Sequence, residues 1–185
     1  MNAEPGTVRT KARRIKLILF DVDGVLTDGM VRIHGDGSES KNFSIRDGIA
    51  MVWAQRAGLK VGLLSARHSP TTLHRAAQLG LTIVHQGVSS KADAFGRILD
   101  AERVVDADVA YMGDDIVDLA VLARAGLSAA PADAVPEVRQ VVDWTSRANA
   151  GRGAARELIE LILRTQDRWN TVVAAYANEG RAHTP

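Results

Sequence analysis

Two acidic residues, Asp21 and Asp23, directly follow a short apolar run in the sequence LILFDVDG. A second acidic group follows another apolar run, in the sequence YMGDDIVD, and contains Asp114, Asp115 and Asp118. Carboxylates that are gathered in one place repel each other unless a cation joins them. A ligand set made of oxygen atoms, without histidine or cysteine, favours a hard ion, and Mg²⁺ is the natural choice. The two acidic groups therefore predict a magnesium site.

Three further polar residues, Ser65, Arg67 and Lys91, lie near the ends of other apolar runs. A lysine supplies the positive charge, and a serine hydroxyl the hydrogen bond, that a transferring phosphoryl group needs. An aspartate beside a metal and a phosphate can act as a nucleophile, and a second acid two residues on can protonate the leaving alcohol and then deprotonate the attacking water. Arg67 could bind the carboxylate of a sugar acid bidentately, or it could form an ion pair with a carboxylate at a strand end.

These residues need elements that bring them together, and the sequence alternates apolar runs of strand length with helical patterns. This alternation predicts an α/β fold, a three-layer Rossmann-like parallel sheet with helices on both faces. Ligands bind beyond the carboxyl ends of the strands in such a sheet, so the polar residues should meet at one edge. The predicted strands are Lys16–Phe20, Lys60–Leu64, Thr82–His85, Val109–Met112, Leu127–Ala130 and Val142–Trp144. The predicted helices lie near 47–57, 69–79, 90–101, 116–125, 134–141 and 153–177.

Residues 29–44, GMVRIHGDGSESKNFS, interrupt this alternation. They predict a small β-hairpin around a Gly-Asp-Gly turn, inserted shortly after the first two acids. Because a hairpin and one helix fill the chain between Gly24 and Ser65, we expect no cap domain. A phosphoryl site open to bulk water loses much of its electrostatic advantage, so another subunit could supply the cover. The hairpin edges could pair with copies of themselves, and we expect a homotetramer built on them.

Length and composition limit the domain organisation and the partners. The 185 residues fit a single domain, expected over residues 15–178, between a flexible N-terminal tail at 1–14 and a C-terminal tail at 179–185. The net charge of +1 gives no case for a nucleic-acid partner. The chain has no cysteine, which excludes disulfides and fits a reducing compartment. No signal-peptide core and no run of about 18 apolar residues is present, so we expect a cytoplasmic protein without a membrane partner.

The motifs DVDGVLTDG, LLSAR, Lys91 and YMGDDIVDL resemble, in this order, the four motifs of the haloacid dehalogenase superfamily of phosphatases. The resemblance covers roughly residues 15–165 and implies a Mg²⁺-dependent phosphatase that works through an aspartyl-phosphate. It makes Asp21 the nucleophile and Asp23 the acid/base. The other implied roles are phosphoryl binding by Ser65 and Lys91, ligation of Mg²⁺ by Asp21, Asp114 and the backbone carbonyl of Asp23, and orientation of waters and of Lys91 by Asp115 and Asp118.

Finer features resemble one branch of this superfamily, the phosphatases of 3-deoxy-D-manno-octulosonate 8-phosphate (Kdo 8-phosphate), which lack a cap domain. These features are DVDGVLTDG, the hairpin, FSIRDG, HQGVSSK and GRGAARE, although LSAR here replaces the branch's ITGR. The branch implies hydrolysis of a sugar-acid phosphate in lipopolysaccharide precursor synthesis, by tetramers in which the hairpins associate. We expect residues 151–156, or the tail beyond them, to lie near a neighbouring subunit's Asp21. Arg46 and Arg152 are candidates for binding the sugar acid.

Three other interpretations compete with this one. Phosphatases of nine-carbon sialic-type acid 9-phosphates share all four motifs, and Arg46 in the RDG segment favours the eight-carbon acid. A non-catalytic module of the same fold has no need of a nucleophile, so the intact Asp21, Asp23, Lys91 and Asp114 argue against it. A phospho-accepting signalling receiver gathers its acids on different strands, which does not fit a pair of acids on the first strand.

Overall fold

A parallel sheet forms the centre of the protein, for which a computed structural model describes residues 4–179. The strands are β1 (Leu17–Phe20), β2 (Arg32–Ile33), β3 (Glu39–Ser40), β4 (Lys60–Leu64), β5 (Ile83–His85), β6 (Val109–Met112), β7 (Leu127–Ala130) and β8 (Trp144–Thr145). Six of them form one sheet in the order β5-β4-β1-β6-β7-β8, and every neighbouring pair is parallel. The other two, β2 and β3, form the antiparallel hairpin that the sequence predicts.

Helices cover both faces of the sheet. They are α1 (Pro5–Arg14), α2 (Ile45–Arg56), α3 (Pro70–Gln78), α4 (Lys91–Glu102), α5 (Leu119–Leu122), α6 (Pro136–Arg139), α7 (Ala154–Thr165) and α8 (Trp169–Glu179). Alternate residues of a strand point to opposite faces. Ile18 and Phe20 of β1 therefore pack with residues of α1, α2, α3 and α7, while Leu17 and Leu19 pack with residues of α4, α5 and α6. This arrangement confirms the predicted three-layer α/β fold.

The register of the central strands brings the predicted site residues to one edge. Phe20, the last residue of β1, pairs with Leu63 of β4 on one side and with Met112 of β6 on the other. Asp21 therefore leaves the sheet at the level where the segments containing Ser65 and Asp114 begin. The predicted meeting of these strand ends is confirmed.

The N-terminal region differs from the flexible tail predicted for residues 1–14, because residues 5–14 form α1. Val8 and Ala12 lie one helical turn apart and both are buried in the core. Lys11 of the same helix places its Nζ 2.5 Å from a carboxylate oxygen of Asp143. The burial of these two apolar residues thus fixes the segment as a helix on the core, although basic residues surround them.

No helix within residues 4–179 is long and apolar enough to span a membrane.

Two predicted helices are shorter than expected. The helix predicted at 153–177 is divided into α7 and α8, because Asp167 adopts the left-handed conformation (φ 59°), which aspartate tolerates better than most residues. The helix predicted at 116–125 begins with a single 3₁₀ turn at Ile116–Asp118 and continues as α5. The other matched elements agree within a few residues at their ends. The C-terminal tail is predicted for residues 179–185, and its residues after 179 lie outside the described residues.

Candidate active site

Asp21 occupies the carboxyl end of β1, where its side chain is buried. Its backbone N–H donates to the carbonyl of Met112 (3.0 Å), which continues the pairing of β1 with β6 and fixes the direction of the side chain. The Nζ of Lys91 lies 2.9 Å from its Oδ2. Burial raises the pKa of Asp21 to about 6, although the charge of Lys91 acts in the opposite direction. A carboxylate so placed is ionised at neutral pH and has one oxygen beside a fixed cation.

Lys91 is the first residue of α4, and Ser90 caps this helix by accepting a hydrogen bond from the N–H of Asp93 (3.2 Å). The buried Nζ of Lys91 lies 2.6 Å from Asp118 Oδ1 as well as beside Asp21. Burial alone would lower the pKa of Lys91, but the two carboxylates raise it above its ordinary value. The lysine therefore stays charged between two acids that come from different strands.

Asp118 is fully buried and contacts Lys91, which fits the orienting role that the resemblance implies. Its Oδ1 accepts hydrogen bonds from Lys91 (2.6 Å) and from the hydroxyl of Tyr111 (2.5 Å). Its Oδ2 accepts from the backbone N–H groups of Asp114 (3.0 Å) and Asp115 (3.3 Å). Sequence reasoning missed Tyr111, although a hydroxyl inside a buried strand must find a partner. Since four donors already surround Asp118, it has little capacity left for a metal.

Asp114 lies against the glycine that follows the first two acids. A Cβ atom at Gly24 would lie 2.0 Å from Asp114 Oδ2, so the close approach of the two motifs requires a glycine there. Burial, together with the charges of Asp21 and Asp118, raises the pKa of Asp114 to about 8. Within residues 4–179, the buried Oδ1 of Asp114 has no hydrogen-bond partner. An acid in these surroundings needs either a proton or a cation.

The carboxylates at this edge fit a divalent cation. One oxygen each from Asp21, Asp114 and Asp118 lie within 4.8 Å of one another. Because Asp118 is occupied by its donors, Asp21 and Asp114 are the carboxylates that would hold Mg²⁺, which commonly binds through one or two carboxylates and keeps several waters. Ligation by the Asp23 carbonyl stays a prediction. So does the orientation of waters by Asp115, whose exposed carboxylate accepts from the N–H of Ile116 (2.6 Å).

Asp23 meets a residue that sequence reasoning missed, Lys41 of the hairpin. The Nζ of Lys41 lies 2.8 Å from Asp23 Oδ1 and 2.9 Å from Oδ2. The lysine side chain is only 1% exposed, because the hairpin folds back over the end of β1. Nothing in the sequence marks Lys41, since a lysine in a polar hairpin is normally solvated.

The hairpin is fastened to the loop after β4 through Glu39. Arg67 places a guanidinium nitrogen 2.9 Å from Glu39 Oε2, and the hydroxyl of Ser69 donates to Oε1. The hydroxyl of Thr71 donates to the backbone carbonyl of Glu39 (3.3 Å). Arg67 thus forms an ion pair, but with the hairpin more closely than with the strand-end acid Asp23 (3.7 Å). Its side chain is still 49% exposed, so contact with a sugar acid stays a prediction.

Arg46 and Arg152 come together at a cleft of about 510 Å³. The connection is made by Asp47 of α2, which accepts hydrogen bonds from the backbone N–H groups of Gly153 (3.1 Å) and Arg156 (2.8 Å). The segments FSIRDG and GRGAARE therefore form one surface, which sequence reasoning did not foresee. The residues that line the cleft are Asp28, Asn42, Phe43, Ser44, Ile45, Arg46, Gly151 and Arg152.

Ser65 lies where it was predicted, directly after β4. It is buried, and its backbone N–H and carbonyl bond to His85 (2.9 Å) and Val88 (3.4 Å), which fixes the start of the loop. Its contact with a phosphoryl group stays a prediction.

Comparisons with known proteins agree with this geometry. The chain matches the model of the haloacid dehalogenase-like hydrolases over residues 63–158. It is 38% identical to the 3-deoxy-D-manno-octulosonate 8-phosphate phosphatase of Escherichia coli K12 over 161 residues, which are 87% of this chain and 86% of the relative. The solved structure of the enzyme of the same name from Yersinia pestis is 37% identical, with a TM-score of 0.86 and 88% of each chain covered.

A further solved structure, the same phosphatase from Moraxella catarrhalis, contains a magnesium ion, a phosphate ion and a KDO molecule. It is 30% identical to this chain with a TM-score of 0.91, over 94% of this chain and 99% of that one. The likeness therefore extends over nearly the whole of both proteins. Together with the match to the family model, it shows that the chain belongs to the haloacid dehalogenase-like hydrolases.

Proposed function

We propose that this chain is a phosphatase that hydrolyses Kdo 8-phosphate to the free sugar acid and phosphate, in lipopolysaccharide precursor synthesis. The observation that carries the proposal is the cluster of the buried Asp21, Lys91 and Asp118 with the half-buried Asp114 at the carboxyl edge of the sheet. A protein that only bound sugars would have no use for an ionised carboxylate held against a fixed lysine. The substrate rests on the relatives, which carry this name and match over most of their length.

The reaction is proposed to proceed in two steps. Asp21 attacks the phosphorus atom, the bond from phosphorus to the sugar oxygen breaks, and Asp23 gives its proton to that oxygen. A water molecule then attacks the phosphorus of the aspartyl-phosphate, Asp23 takes a proton from the water, and Asp21 and inorganic phosphate are released. When Mg²⁺ is bound, it offsets the negative charge that the phosphoryl oxygens bring toward the carboxylates.

The protein's own groups prepare Asp21 for this attack. Lys91 keeps the carboxylate charged in spite of burial and presents a cation next to the place where the phosphoryl oxygens would lie. Asp118 and Tyr111 prevent Lys91 from collapsing fully onto Asp21, because they hold its Nζ from the other side. Ser65, at the end of the next strand, is proposed to donate a hydrogen bond to the same phosphoryl group.

The cleft of Arg46 and Arg152 is proposed to bind the carboxylate of the sugar acid. Two guanidinium groups line it, and the loop of Gly151 is tied to the segment after Asp23 by a hydrogen bond from its N–H to the carbonyl of Val25 (2.9 Å). The cleft is thus connected by backbone contacts to the catalytic edge, which is the carboxyl edge of the sheet with Asp21, Lys91 and Asp114. Guanidinium groups bind carboxylates bidentately, which selects an acid over a neutral sugar.

A homotetramer stays part of the proposal. Two large apolar side chains of the hairpin region are exposed, Met30 (71%) and Ile33 (66%), and exposed apolar residues beside a free strand edge are typical of a surface that pairs with another chain. The approach of a neighbour's C-terminal segment to Asp21 also remains a prediction.

Phosphate release in the presence of Mg²⁺ tests the proposal. The panel should contain Kdo 8-phosphate, a nine-carbon sialic-type acid 9-phosphate and a neutral hexose phosphate. We expect the highest kcat/KM with Kdo 8-phosphate, because the arginine cleft needs a carboxylate. A preference for the nine-carbon acid would select that alternative substrate, and no release from any of the three would reject a phosphatase of this kind.

A further inference from the structure

Lys41 of the hairpin has its charged end buried inside the site, although none of the roles proposed above uses it. Its side chain is 1% exposed, and its Nζ contacts both carboxylate oxygens of Asp23, at 2.8 and 2.9 Å. Glu39 is more distant, at 3.9 Å. Burying an ammonium group is costly unless it is paired and hydrogen-bonded. A lysine in this position is therefore held there by its contact with Asp23.

The hairpin aims Lys41 at Asp23. Lys41 follows β3 directly and lies two residues after Glu39, so the contacts of Glu39 fix the chain next to it. Glu39 is fixed by Arg67, by Ser69 and through its backbone carbonyl, which leaves the neighbouring Lys41 little freedom to turn away. The direction of Lys41 toward Asp23 is thus set by several side chains around Glu39.

The two acids of the first motif are held by different lysines. Lys91 reaches Asp21 from α4, and Lys41 reaches Asp23 from the hairpin. We propose that Lys41 is a positioning residue, which donates a hydrogen bond to Oδ2 of Asp23 and leaves Oδ1, without a hydrogen-bond partner among the described residues, to carry the proton that passes to the leaving oxygen. The hairpin is then a working part of its own chain's active site. This inference rests on the proposed function, in which Asp23 is the acid/base.

The test compares leaving groups in the Lys41→Met variant, which keeps the length of the side chain and removes its charge. kcat/KM includes the steps up to departure of the leaving group. A sugar alkoxide needs a proton to depart, whereas p-nitrophenolate departs as a stable anion. Because a positioned acid typically contributes at least a hundredfold, we expect Lys41→Met to lower kcat/KM for Kdo 8-phosphate by about 10–100-fold. For p-nitrophenyl phosphate we expect a loss of less than about threefold, and Asp23→Asn should show the same selectivity.

Lys60→Met is the matched control, since Lys60 pairs with Glu102 (2.7 Å) at the opposite end of β4 and should affect neither substrate. Circular dichroism checks folding, and Lys41→Gln replaces Lys41→Met if the latter does not fold. Equal losses with both substrates would show that Lys41 only supports the hairpin, and no loss with either would show that it does nothing. Both results overturn this inference and leave the proposed function intact. A wild type that hydrolyses neither substrate overturns both.

Discussion

Replacing Asp47 with asparagine should separate the stability of the arginine cleft from the chemistry of the catalytic edge. Gly153, at the N-terminus of α7, has no side chain that could accept hydrogen bonds from the first N–H groups of the helix. Asp47 of α2 accepts them instead, from Gly153 (3.1 Å) and from Arg156 (2.8 Å). Its carboxylate also lies at the positive end of the helix dipole. Burial raises the pKa of Asp47, and these backbone hydrogen bonds offset part of that effect.

The size of the effect follows from these contacts. Asparagine at position 47 keeps one accepting oxygen but turns its NH₂ group toward the other backbone N–H. The variant loses a charge-assisted hydrogen bond, worth about 1.5–3 kcal/mol, and the interaction with the helix dipole, worth about 0.3–1 kcal/mol. Because the variant no longer buries a charge, part of this loss is recovered. We expect the free energy of unfolding to fall by about 2 kcal/mol, which lowers Tm by about 4–8 °C for a chain of this size.

Urea unfolding and steady-state kinetics measure the two consequences of Asp47→Asn. The matched control is Asp106→Asn, since Asp106 forms an exposed pair with Arg124 (3.0 Å) that is worth at most about 1 kcal/mol. We expect KM for Kdo 8-phosphate to rise about tenfold, or about 1.4 kcal/mol, because the segment that carries Arg152 loosens. kcat should change little, because Asp47 does not touch Asp21 or Lys91. A loss of stability no larger than that of the control, or a fall in kcat without a rise in KM, would refute this reasoning.

Three further predictions concern the catalytic edge. Asp21→Asn should lower turnover by several orders of magnitude while the fold persists, because no other carboxylate can attack in line; a variant with even a tenth of wild-type activity in phosphate release would rule out the aspartyl-phosphate. EDTA should abolish activity, Mg²⁺ should restore it, and Ca²⁺ should inhibit it, since Ca²⁺ prefers more ligands at longer distances; full activity of the chelated protein would contradict the metal site. The binding of Mg²⁺ should also depend on pH. In the folded, metal-free protein the pKa of Asp114 is raised to about 8. Below that pH the folded chain keeps a proton on Asp114 that the unfolded chain has lost, so the free energy of unfolding falls as pH rises toward 8. Mg²⁺ competes with these protons, and the increase in Tm on adding Mg²⁺ should be larger at pH 8 than at pH 6; an increase that is the same at both pH values would speak against this competition.

The catalytic edge could be predicted from the sequence because parallel strands place their carboxyl ends together. Asp21 and Asp114 each follow an apolar run directly, so knowing that the runs are neighbouring parallel strands is enough to bring the acids together. Lys91 follows from the same logic, as the first residue of a helix that begins after a strand. These positions depend on local pattern and topology, which a single sequence contains.

The contacts made by the hairpin and by α7 could not be predicted in the same way. Lys41 reaches Asp23 because the hairpin folds back over the site, and Asp47 reaches Gly153 across most of the chain length. Neither contact has a signature in residue spacing, since both are set by how elements pack in three dimensions. Tyr111 differs, because a tyrosine within a strand that is buried on both faces needs a partner nearby, and Asp118 is seven residues away. The contact of Tyr111 with Asp118 could therefore have been predicted from the sequence, and it was missed.

A test of the homotetramer must leave Lys41 in place. Deleting residues 31–42 would remove the exposed Ile33 in β2 together with Lys41, so a loss of activity could mean a lost interface or a displaced Asp23. Two point variants separate these effects. Ile33→Asp should dissociate the tetramer in light scattering, because the new charge must lose its water when two hairpins associate. Lys41→Met should keep the assembly. If the hairpins join the subunits, Ile33→Asp should also lower activity with Kdo 8-phosphate wherever a neighbour covers the site. A wild type that is monomeric and fully active would refute the tetramer, because each active site would then be complete within one chain.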